Sequence, residues 1–278
     1  MKKSNLFILG IGITLGIAIS ILFLLHIQIY PRINIQIQHT IESFQTSNIH
    51  FLSSDETRDV LLSDEDDYYK RFSKYDFIAR KVNSVDEYKE YIKDCPIDPS
   101  QEYQTRISNC IQKIHNQLYR FSMDGLDPDK FRKIPLKIGI VSGKKYEHGL
   151  AHTRGNVILL STPILETYDM DKLTGTMSHE MIHIYQKQYP DEISKYLKAN
   201  KIQEDITLMD PLFRVNPDLN DKFYKDEKGI PYYAKYSNEN PKNVSDIVYS
   251  QNANQEREHP YEEMAIEFEK RILSKISN

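Results

Sequence analysis

Two histidines four positions apart, with a glutamate directly after the first, constrain this chain more tightly than any other feature: His179-Glu180-Met181-Ile182-His183. Residues four apart on an α-helix project from one face, so both imidazoles reach a single ion at the roughly 2.0–2.1 Å of a zinc–nitrogen bond only if the segment is helical. Glu180 then points to a neighbouring part of that surface, placed to take a proton from a metal-activated water rather than to bind the metal. The flanks agree, because Leu173, Met177, Met181, Ile184 and Gln188 fall near one another on a helix from about Asp171 to Gln188, which Pro190 ends. The expectation is one helix carrying two metal ligands, His179 and His183, and a catalytic base, Glu180.

A catalytic zinc takes three protein ligands and keeps an open position, so a further donor is required. In His259-Pro260-Tyr261-Glu262-Glu263-Met264-Ala265 a proline suited to a first helical position opens a closing helix over about Pro260–Ile276. Its first turn holds carboxylates beside a small residue that permits close packing. Glu262 is the candidate ligand and Glu263 the alternative. An acidic first turn is also what the helix dipole favours without any metal.

With these residues in place, the chain resembles the gluzincin branch of the zincin metallopeptidases, in which HExxH lies on one helix and a glutamate on a later helix completes the site. His179, Glu180 and His183 match the motif, Glu262 with Ala265 matches the glutamate-x-x-alanine form of the ligand helix, and Ala151–Ile158 resembles the strand set ahead of the active helix. The resemblance covers about Leu136 to the C-terminus. It implies an α+β, zincin-like domain with a small mixed sheet and an active-site helix, Zn2+ as cofactor, a peptide or protein substrate, and a Tyr or His that stabilises the oxyanion. Tyr232, Tyr233 and Tyr236 lie upstream of the ligand helix and are candidates for that role, against the ordinary packing role of most tyrosines. The chain departs from the pattern twice. His183 and Glu262 are 262 − 183 = 79 positions apart, so an inserted segment must fold back beside the site, and position 266, acidic in several relatives, is Ile. Another group, with Glu267 the candidate, is expected to support a ligand histidine.

From Leu6 to Leu25 the chain is apolar apart from Gly, Ser and Thr. About 20 helical residues span a hydrocarbon core, whereas a cleavable signal has an apolar stretch of only about 7–15. Lys2 and Lys3 ahead of the run favour a cytoplasmic N-terminus. The expectation is a single-pass membrane anchor with the catalytic domain outside, or a secreted domain if the segment is cleaved. A triplet for N-glycosylation, Asn243-Val244-Ser245, fits export. A net charge of −4 with Lys interleaved among Asp and Glu provides no basic stripe, so nucleic acid is not an expected partner.

Three segments follow from these readings: a cytoplasmic flank and transmembrane anchor over 1–30, a stalk and helical lead-in over 31–134, and the zincin-like metallopeptidase domain over 135–278. Ile33, Ile35 and Ile37 begin either a stalk or a first strand. Ser84 with Glu87 makes a capping box in the lead-in. Leu136–Val141 and Asn156–Ser161 read as strands, and the stretch between Asp191 and Asn254 as a short helix followed by a long polar connection. Cys95 and Cys110 form a disulfide or are small buried apolar residues. His152 and Arg154 contact substrate or solvate a strand edge, and Arg214 binds a substrate carboxylate or fixes a loop by pairing with Asp218. A protein that retains the zincin fold for surface binding without turnover is the alternative to the peptidase, although a scaffold has no need of Glu180.

Overall fold

Leu136–Val141 and Val157–Ser161 are apolar at nearly every position, which suits strands buried on both faces rather than on one. The computed structural model describes residues 49–252 and 255–276, and in it these runs are the central strands of a five-stranded mixed sheet. The strands of that sheet are β1 (Ile49–Phe51), β2 (Pro96–Ile97), β3 (Leu136–Val141), β4 (His152–Arg154) and β5 (Val157–Ser161). β3 and β5 run parallel. β4 folds back antiparallel on β5, while β1 and β2 share the other edge of β3, β1 beside Leu136–Ile138 and β2 beside Ile140 and Val141. Residues on either side of position 134 thus share one sheet. The expected anchor over 6–25 and the Ile33–Ile37 alternation lie outside the described residues; among the described residues no helix is long and apolar enough to cross a membrane.

The helices are α1 (Ser54–Ser63), α2 (Lys74–Arg80), α3 (Val85–Ile92), α4 (Gln101–Gln117), α5 (Pro128–Arg132), α6 (Thr162–Thr167), α7 (Met170–Gln188), α8 (Pro190–Ala199) and α9 (Pro260–Ile276). Serines start the lead-in helices: Ser53, Ser73, Ser84 and Ser100 each accept a backbone N–H of the first turn, a contact typically worth about 1 kcal/mol. At Ser84 only half of the expected box forms, because Glu87 accepts from the N–H of Asn83 at 2.8 Å instead.

Successive side chains of a strand face opposite ways. Ile138, Ile140, Ile158 and Leu160 join the core built with α4, α7 and α9, while Val141, Val157 and Leu159 join a second core with Leu61 of α1 and Tyr88 and Ile92 of α3. The sheet is therefore the middle of three layers. Gly139 permits the close approach of α1, since a Cβ there would sit 2.8 Å from the Thr57 side chain. Cys95 and Cys110 are both buried and unbonded, one in each core, so the disulfide reading gives way to the apolar one.

The stretch expected to be a polar connection folds into two small antiparallel sheets, β6 (Gln203–Glu204), β7 (Tyr224–Lys225) and β8 (Pro231–Tyr232), then β9 (Ala234–Tyr236), β10 (Ile247–Asn252) and β11 (Gln255–Arg257). All of its strands but β10 are two or three residues long, and the turn between β7 and β8 is closed by Asp226, whose carboxylate accepts from Lys228 and Ile230 N–H. The helices expected at 171–188 and 260–276 appear at Met170–Gln188 and Pro260–Ile276.

Candidate metal centre

α7 lies in the core against α4 and α9, and its motif face turns toward the first turn of α9. There the Nε2 atoms of His179 and His183 stand 3.1 Å apart, and the Glu262 carboxylate is 3.1 Å from His179 Nε2 and 3.6 Å from His183 Nε2. One ligand atom from each residue lies within 4.8 Å of the others, a group that can hold a metal ion.

The hydrogen bonds behind the site fix what these atoms present. Gln186 donates its amide N–H to the Tyr261 carbonyl, so its oxygen faces His183 Nδ1 at 2.9 Å and accepts that proton. Glu269 faces His179 Nδ1 at 3.5 Å and also only accepts. In their neutral forms both imidazoles would carry the proton on Nδ1 and turn bare Nε2 lone pairs toward each other and toward a carboxylate. Such a triad draws positive charge. Burial disfavours a charged imidazole, yet hydrogen bonds to Glu262 and Glu269 hold His179 well above its ordinary pKa, and His183, buried too, is raised by Glu262 and Asp218. Against its own burial, Glu262 is held well below the usual carboxylate range by the two histidines.

Glu262 rather than Glu263 joins the histidines: Glu263 bonds Arg257 at 2.8 Å and the Tyr232 hydroxyl at 3.1 Å. The carboxylate behind His179 is Glu269, not Glu267, which pairs with Arg271 one turn along the same helix. Seven residues beyond Glu262, Glu269 is two turns away on the same face, a spacing that reaches the histidine as well as four does. Gly175 makes room for it, since a Cβ there would stand 2.8 Å from Glu269 Oε1.

Glu180 is buried, and among the described residues its Oε2 has no hydrogen-bond partner. Burial and the nearby Asp218 lift its pKa to about 8. It lines a cleft of about 270 Å³ with His179, Glu262, Ala151, Asp218 and Tyr249. Another carboxylate on that cleft, Glu147, is not a competing base: although buried, it is drawn down to about 2 by the Arg80 guanidinium, which it meets at 2.7 and 3.0 Å.

Asn216, in the segment between the site helices, missed as a site residue in the sequence, donates to Glu262 Oε1 at 3.1 Å and to Glu258 at 3.0 Å, and accepts from the N–H of Asp218. Its legible signal was Asn-Pro-Asp, a turn tripeptide. Tyr249 was missed as well; burial and Glu258 raise its pKa, so its phenol stays protonated as a donor. Ile247 and Tyr249 both line the cleft while Val248 between them is exposed, the period of a strand. Of the tyrosines expected near the oxyanion, Tyr236 bonds Asp76 and Tyr232 bonds Glu263, and none of Tyr232, Tyr233 and Tyr236 lines the cleft.

Arg154 is not a substrate contact. It is buried against Asp64, Asp66 and the Tyr69 and Tyr146 hydroxyls. His152 is buried as well, its ring against Tyr146, but unlike Arg154 it lines the cleft with Glu180, and its Nε2 has no hydrogen-bond partner among the described residues. On the edge of β4, Asp218 accepts the Thr153 N–H and the Lys187 ammonium bonds the Thr153 hydroxyl at 2.6 Å, so strand pairing at Thr153 is already taken. Arg214 pairs with Glu258, not Asp218. No protein-family model, curated protein or solved structure matches the chain.

Proposed function

We propose that this protein is a membrane-anchored zinc metallopeptidase of gluzincin-like type that hydrolyses peptide bonds. The observation that carries the reading is the convergence of two imidazoles and a carboxylate beside the buried, unpartnered oxygen of Glu180, with His179, Glu180 and Glu262 lining one open cleft and His183 buried behind them. A His2Glu donor set with room for a further ligand suits zinc, whereas magnesium and calcium favour sites built of oxygen alone. The anchor rests on the apolar run over 6–25 alone.

When bound, zinc supplies Lewis acidity to a carbonyl and lowers the pKa of a water to about 7. The protein's own groups do the rest. His179 and His183, with the neutral ring proton on Nδ1, would hold the ion together with Glu262. Glu180 would take a proton from the attacking water and deliver it to the leaving amine, which needs its charged form; its burial beside Asp218 disfavours that form, and the positive charge of a bound divalent ion would favour it. Tyr249, a protonated phenol on the same cleft, is placed to donate to the developing oxyanion.

The deciding comparison is full-length wild type against Glu180→Gln, both zinc-loaded, on a denatured protein substrate. Cleavage is expected to fall by about a hundredfold or more at unchanged metal content. Wild-type cleavage no faster than the variant's would leave the surface-binding reading in place; turnover of a non-peptide amide alone would assign a different hydrolase.

A further inference from the structure

We propose that the segment inserted between the two site helices builds a remote subsite for a bulky apolar side chain of the polypeptide substrate, a proposal that rests on the peptidase reading. A cavity of about 670 Å³, a size usual for ligand sites, lies among Leu208, Met209, Phe213, Leu219, Phe223 and Tyr233. Arg214, Asn216 and Glu258 line both this cavity and the metal cleft, so they form a common wall. Asn216 hydrogen-bonds Glu262 itself, which puts that wall one contact from the metal ligand. His179, Glu180 and Glu262 line only the cleft. A side chain filling the cavity therefore belongs to a residue set apart from the scissile bond.

The chemistry of the lining selects the occupant. Around the cavity Arg214 is paired within the protein with Glu258, Asp210 with Lys235 and Lys222 with Glu204, and Arg71 donates to the Leu219 carbonyl, so the aromatic and aliphatic side chains make up most of the contact surface. At its rim, Ile206 and Met209 are 86% and 88% exposed, the most exposed large apolar side chains of the described residues. An apolar group bound at this rim would cover part of both. The wall shared with the cleft makes that group part of a chain already lying there, and binding energy gathered at such a distance serves to orient the reacting bond.

The test is cleavage-site profiling of a synthetic peptide library of balanced composition by the full-length, zinc-loaded protein, read by mass spectrometry. Large aliphatic or aromatic residues are expected to be enriched about tenfold at one fixed position separated from the scissile bond by at least one residue. Met209→Asp, at an exposed position, is expected to remove that enrichment and Met209→Leu to keep it, with thermal unfolding and metal content checking each fold. Cleavage with no such position, or with enrichment that survives both Met209→Asp and Leu208→Asp, overturns the subsite and leaves the peptidase standing. Cleavage without the preference, together with saturable binding of anilinonaphthalene sulfonate that Met209→Asp abolishes, reassigns the cavity to a small apolar ligand and also overturns it. No cleavage by wild type removes the peptidase reading and the subsite with it.

Discussion

At the scale of single residues, the site depends on groups that never touch the metal position. Gln186 and Glu269 decide which imidazole nitrogens carry protons, and Asn216 holds one oxygen of Glu262 while linking it to Glu258. Partners of this kind typically change metal affinity by about 10–100-fold when removed. Asn216→Ala is expected to weaken zinc binding by about tenfold or more in a competition titration with a chelating dye. Affinity equal to wild type would show that the Asn216 contact does not orient the ligand. These partners were legible only in part. His179 and His183 are paired by sequence because four positions are one helical face, whereas Asn216 and Tyr249 come from a loop and a strand whose approach to the site depends on packing between distant segments.

Among the elements, α7 and α9 carry the site, and their packing was readable because long apolar periodicities with a stopping proline and an opening proline mark both. The small sheets between them were not, since all their strands but β10 have only two or three residues, which leaves too little alternation to detect, and the six residues of β10 lie in a polar, Asn-rich stretch. Gly175 is where the two helices meet most tellingly. Replacing a helical glycine by alanine ordinarily stabilises by up to about 1 kcal/mol. Here the new methyl would meet Glu269 Oε1, the end of a flexible side chain that can swing aside, at 2.8 Å. Gly175→Ala is therefore expected to unfold at the same or a higher temperature than wild type yet bind zinc about tenfold more weakly, because Glu269 leaves His179. Unchanged affinity would remove Glu269 from its supporting role.

Over the whole molecule, three layers bury both faces of one sheet, and the cost of that burial falls on His115 of α4. It is buried, neither ring nitrogen has a partner among the described residues, and burial, with Arg132 nearby, lowers its pKa from 6.5 to about 4. The folded state thus keeps His115 neutral while the unfolded chain takes up a proton below 6.5, so stability is unaffected above that pH and falls as pH drops from 6.5 toward 4, by about 3 kcal/mol at most. His115→Leu is expected to flatten this part of the stability profile in chemical denaturation across that range; an equally steep profile in the variant would place the acid sensitivity elsewhere. The claim on which the functional account depends is the metal, and elemental analysis of the full-length protein purified without chelator tests it most directly. The account predicts about one zinc per chain, lost in His183→Ala. Folded protein that contains no metal and takes up none from added zinc would contradict it.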